Sequence, residues 1–201
     1  MLGSGCAAPA GSDREERGDA ERGRAALALV EMPSKALARC RATALLADVC
    51  PTRVPALSSH FFVDSSRSSH PGIFSLESGT PETEGITAAN RPPQYVRVTI
   101  EAGDLDRALD FAYPMRGRPR ALATLERRGR RERAAFIARE VWAGSAGSVV
   151  LAPSYPDGGF HHDHVAFRWT DNGVDYIVSL HAWAPLAEAK ATLRAIVASI
   201  P

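Results

Sequence analysis

The dipeptide Asn172-Gly173, set between VAFRW and VDYIVSL, limits what this chain can fold into more than any other feature. A type I′ turn needs positive φ at both central residues, and Asn-Gly supplies that at little steric cost. With those two residues as the loop, Thr170 pairs with Asp175, Trp169 with Tyr176, Phe167 with Val178, Val165 with Leu180 and His164 with His181. Side chains alternate between faces along a strand. Val165, Phe167, Trp169, Tyr176, Val178 and Leu180 then share one face, which is predicted to be core. The other face collects His162, His164, Ala166, Arg168, Ile177, Ser179, His181 and Trp183. A one-residue slip would exchange the faces of one strand, so the clean partition argues for this register.

A helix is predicted directly after the hairpin. Pro185 suits a first helical position, where a missing N–H has no intrahelical partner. Leu186, Ala189, Leu193, Ile196, Val197 and Ile200 recur at three- and four-residue steps and predict one buried stripe. Glu188 near the start and Arg194 near the end suit the helix dipole. Such a stripe needs a sheet to pack against.

Upstream, YVRVTIEA (95–102) sets Tyr95, Arg97, Thr99 and Glu101 against Val96, Val98 and Ile100, and predicts a strand. IFSLES (73–78) predicts another. Between 120 and 153, the β-branched and aromatic residues Phe136, Ile137, Val141, Trp142, Val149 and Val150 predict strands. Gly144 and Gly147, bracketing Ser145-Ala146, mark the expected hairpin there. The competing reading is one amphipathic helix over RERAAFIAREVW, rich in helix-favouring Arg, Glu and Ala. The fold class that follows is α+β: an antiparallel β-sheet meander with a C-terminal amphipathic helix packed on one face.

The first half is less regular. Residues 1–39 are read as a flexible tether or arm, because residues 7–24 are small and charged and carry almost no large apolar groups. Pro33 interrupts the helix-prone stretch 25–39. Residues 40–201 are read as a single domain whose first part, 51–94, is rich in Ser and Pro and loop-like.

Composition excludes some functions. A net charge of +1 over 201 residues gives no electrostatic case for nucleic acid. No stretch is long and apolar enough to span a membrane. There is no P-loop and no dinucleotide fingerprint. GSAGS around Ser145 is not a nucleophile elbow, since Ala143 stands where the motif requires its first Gly.

The three cysteines bear on location. Cys6, in LGSGCAAP, resembles a bacterial lipobox, although the upstream basic and apolar regions of an export signal are missing. Either the true start lies further upstream, or Cys6 is an ordinary thiol. Cys40 and Cys50 make a natural disulfide pair in an exported protein. On one continuous helix they would be about 15 Å apart, against the roughly 7 Å a disulfide allows. A bond therefore requires the chain to turn between them. The alternative is two buried thiols in a cytosolic protein.

CRATALLADVCP, NRPPQYVRVTI, GGFHHDHVAFRW, SLHAW and the terminal helix together resemble a group of exported proteins and lipoproteins from high-GC actinobacteria. That resemblance covers roughly residues 40 to 201. It implies an envelope location and a sheet-plus-helix domain, and it supplies no catalytic residues.

Two functional readings follow. The first is a non-catalytic binding module, exported to the outer face of the cytoplasmic membrane. It would be anchored by a lipid on Cys6 and would bind another envelope component. The second is a metal-binding protein or zinc-dependent hydrolase centred on His162, His164 and His181. Cross-strand Cβ atoms lie roughly 5 Å apart, and three imidazoles with an open fourth position suit catalytic zinc. A solvated patch of histidines competes with it. Trp183 on the same face and the arginines between 127 and 133 are weaker candidates for contact with a partner or anionic lipid.

Overall fold

A computed structural model describes residues 27–56, 61–63, 72–78, 96–105, 117–121, 134–153, 163–182 and 185–201. A seven-stranded antiparallel sheet carries one long helix, and a two-stranded sheet sits at the N-terminal side. The small sheet is β1 (Leu29–Glu31) with β2 (Arg53–Pro55), and α1 (Ser34–Ala42) lies between them in sequence. The large sheet contains β3 (Phe61–Val63), β4 (Ile73–Ser78), β5 (Val96–Gly103), β6 (Ala135–Trp142), β7 (Ser145–Leu151), β8 (Val165–Asp171) and β9 (Val174–Ala182). The helix α2 spans Leu186–Val197. The fold is α+β.

Strand order in the large sheet is β3-β4-β5-β9-β8-β7-β6. Two runs of sequential strands, β3–β5 and β6–β9, are joined where β5 pairs with β9. The expected register of the terminal hairpin holds from Val165–Leu180 to Asp171–Val174. Asn172 and Gly173 have φ of 49° and 78°, as a type I′ turn demands.

The stretch 135–151 is a strand pair, so its β-favouring side chains prevail over its helix formers. Its turn is Ala143-Gly144, at φ 48° and 82°, and not Ser145-Ala146. Ser145 pairs with Trp142 inside the ladder. The turn lies there because Gly147 is needed within the strand, opposite Trp169, where the Phe167 ring fills its missing side chain. A β-bulge between Phe136 and Ala138 turns Phe136 to one face and leaves Ile137 and Ala138 on the core side.

The main core lies between the large sheet and α2. Val165, Phe167, Val178 and Leu180 are buried there, as are Val98, Ile100, Phe74 and Leu76 from β5 and β4. An aromatic stack runs through it: Trp142 to Phe167 at 4.3 Å between ring centroids, Phe167 to Trp169 at 5.5 Å, and Trp169 to Tyr176 at 5.4 Å. Leu186, Ala189, Leu193, Ile196 and Val197 form the buried stripe of α2, with Ile200 packed partly against it. Pro185 is the N-cap and α2 begins at Leu186. Its fixed φ of −52° and its carbonyl, which accepts the Ala189 N–H, still open the helix. Glu140 of β6 accepts hydrogen bonds from Trp142 Nε1 (2.8 Å) and from Lys190 of α2, joining sheet to helix.

The N-terminal elements join the same core. Met32, Ala36, Cys40, Leu46, Cys50 and Val54 are buried in it. The helix-prone stretch before Pro33 forms β1, because pairing with β2 outweighs local preference. The Leu27 N–H donates to Thr192 Oγ1 at 2.8 Å, and the Thr52 hydroxyl donates to the Ser199 carbonyl at 2.9 Å. Beyond α1 the chain turns through Leu45, at φ 65°, and brings Cys40 and Cys50 to a Cα separation of 6.0 Å, joined by a disulfide.

Candidate functional site: a buried polar face

Pairing β5 with β9 builds a second face on the large sheet, opposite α2. Directly paired residues point to the same side of a sheet. Arg97 therefore stands beside His181, Thr99 beside Ser179 and Glu101 beside Ile177. Ser75 of β4 pairs with Thr99 on its other side. From β8 and β7, Arg168 pairs with Ile177 and Ser148 with Arg168. The hairpin face expected to hold histidines thus extends across five strands as a polar surface.

That surface is buried. His164, Ser75, Thr99 and Ser179 are wholly inaccessible, and Glu101, Ser148, His181 and Arg168 nearly so. A solvated histidine patch is thereby ruled out for His164 and His181. Burial of so many polar groups is costly unless each finds a partner. Part of that requirement is met locally. Arg168 forms an ion pair with Asp175, which also accepts a hydrogen bond from the Thr170 hydroxyl at 2.6 Å. Beside the polar groups, Leu105, Phe136, Val150, Ala152, Ala166 and Ile177 form a small apolar cluster.

His164 and His181 are neighbours, as the register predicts. Their ring centroids are 5.4 Å apart and the planes are inclined at 57°. A 2.8 Å hydrogen bond joins His164 Nδ1 to the Ser179 hydroxyl. His162 and Cys6, both candidate site residues, lie outside the described residues, as do Trp183 and the arginines at 127–133. Asp163 has φ of 61°, so the alternation of an extended strand stops there and assigns no face to residue 162. Among the described residues, no three His, Cys, Asp or Glu side chains converge as a metal-binding group.

Arg97, Thr99, Glu101 and Ser75 were not singled out by sequence reasoning as part of this site. The signal was half present: the alternation of YVRVTIEA puts Arg97, Thr99 and Glu101 on one side of their strand. Nothing local reveals that β9 is the neighbour of that strand. Among the described residues, no helix is long and apolar enough to cross a membrane. No protein-family model, curated protein or solved structure matches this chain.

Proposed function

We propose that this is an exported protein, anchored at the outer face of the cytoplasmic membrane through Cys6, that acts as a non-catalytic binding module for another envelope component. The observation that carries this reading is the disulfide between Cys40 and Cys50, both completely buried. Persistent disulfides belong to oxidising compartments, whereas cytosolic thiols are kept reduced. The resemblance to actinobacterial exported proteins and the lipobox-like setting of Cys6 point the same way. The test is rapid acid quenching of cells of the source organism, followed by alkylation of the denatured protein with and without reductant. Protection of Cys40 and Cys50 until reductant is added supports the reading. Two free thiols would refute it. Cys6→Ser should move the protein from the membrane pellet to the supernatant.

A second reading, metal binding at His164 and His181 with His162 as a further ligand, is favoured by one observation. The His164 ring is held at Nδ1 by a 2.8 Å hydrogen bond with the Ser179 hydroxyl, the kind of outer partner that orients a ligating imidazole. Zinc suits neutral imidazole ligands. Metal analysis of protein purified without a histidine tag decides it: stoichiometric metal that His164→Ala abolishes supports the site, and its absence excludes it.

A further inference from the structure

Helix α1, SKALARCRA, separates an apolar side from a cationic one. Ala36 and Cys40 are buried, and Leu37 packs partly against the core. Ser34, Lys35, Ala38, Arg39, Arg41 and Ala42 are exposed. At about 100° per residue these positions share one arc of about 160°. Its charges are all positive, and its other side chains are small. None of the three cations has an ion pair among the described residues. Glu31 is the register partner of Arg53, which leaves Asp48 as the acidic residue of the N-terminal elements set against them. The helix dipole accounts for Arg39 and Arg41 in the last turn, but not for Lys35. A cation in the first turn opposes the dipole, and no acidic residue stands there to offset it. Four residues past Arg41, Leu45 is 53% exposed at φ 65°, an aliphatic side chain in water on backbone that L-residues rarely adopt. On the buried side, Cys40 is bonded to Cys50, so the cationic side belongs to an element fixed to the core.

We propose that this side of α1, together with Leu45, is the surface on which the protein rests against an anionic phospholipid bilayer. Charge of one sign on a face of small residues complements a plane of anionic headgroups. Each cation near such a surface favours binding about fivefold, ~1 kcal/mol. Leu45 enters the boundary between headgroups and acyl chains, as the apolar part of an interfacial helix does. The span from Cys6 to Leu27 is at most about 75 Å even when fully extended, so a lipid on Cys6 keeps α1 close to the bilayer. The proposal rests on the membrane-anchored reading and supplies the face that meets the lipid.

The test uses the full chain, tag-free and carrying Cys6→Ser, so that no lipid contributes. Co-sedimentation is measured with vesicles of phosphatidylglycerol and, separately, of phosphatidylcholine. The first should bind the protein and the second should not. Binding should fade as salt rises from about 0.01 M to about 0.15 M, where screening shortens from about 30 Å to about 8 Å. Replacing Lys35, Arg39 and Arg41 together by glutamine should weaken it roughly a hundredfold, at about fivefold per cation. Leu45→Ser should weaken it roughly fivefold, since about half of a leucine's transfer is at stake. Lys35→Glu keeps the test readable if the triple variant folds poorly. It should raise Tm, because a first-turn carboxylate suits the dipole, while weakening binding. Equal binding to both vesicle types, or binding unchanged in the triple variant and in Lys35→Glu, would overturn the proposal. So would binding lost only when Arg127, Arg128 and Arg130 are replaced by glutamine instead. The membrane-pellet assay in cells reads the Cys6 anchor independently, so either idea can fail without the other.

Discussion

Gly147 has no room for a side chain. A Cβ there would lie 2.5 Å from Phe167 Cζ and 2.6 Å from the Arg168 carbonyl oxygen. The ring cannot retreat, because Trp142 stacks on it. Gly147→Ala is expected to destabilise the fold by about 1–3 kcal/mol, the usual cost of overpacking, as read from the urea midpoint. Glu140 gives a pH-dependent test at the same scale. Burial alone would raise its pKa, but the hydrogen bonds from Lys190 and Trp142 and the charges of Lys190 and Arg194 hold it below 4.5. A carboxyl with a depressed folded-state pKa stabilises fully above its unfolded value, and that contribution fades as pH falls through the folded one. Glu140→Gln should therefore lower Tm at neutral pH and flatten the decline of Tm below about pH 4.5, the ordinary carboxyl range.

Among the elements, the two type I′ hairpins differ in how well their sequences suit them. Asn172-Gly173 fits, and its strand register was legible from the sequence for that reason. Ala143-Gly144 does not, since Ala143 carries a Cβ at φ 48°. Left-handed backbone costs an ordinary L-residue roughly 1–2 kcal/mol. Ala143→Gly should thus stabilise the protein by up to about 1 kcal/mol, net of the entropy glycine adds to the unfolded chain, as chemical denaturation would show. The misplaced turn in the sequence reading has the same cause: Ala143 gives no turn signal, and Gly147 gives one although it serves packing. Helix α2 was legible through its three- and four-residue stripe, whose centre, Leu193, is fully buried. Leu193→Ala should cost about 2–5 kcal/mol, because α2 and the sheet share one core.

For the molecule as a whole, the Cys40–Cys50 link spans a sequence separation of ten, from α1 to the segment just before β2, and both cysteines lie in the main core. Replacing both cysteines by alanine should lower stability by about 2–3 kcal/mol through lost loop-closure entropy. The large sheet should survive, which near-ultraviolet circular dichroism of its stacked aromatics would report. What the sequence by itself determined is local: the Asn-Gly bend, the apolar partition of the terminal hairpin, the helix stripe, and a cysteine spacing that demands a turn. Each is set by φ preference or by a period of two or 3.6 within a short window. The tertiary structure alone decided that β5 lies against β9. That pairing joins strands far apart in the chain, and strand pairing at such separation leaves no periodic trace in one sequence. It converts a histidine patch on a hairpin into a buried polar surface in which Thr99 stands between Arg97 and Glu101, beside Ser75 and Ser179.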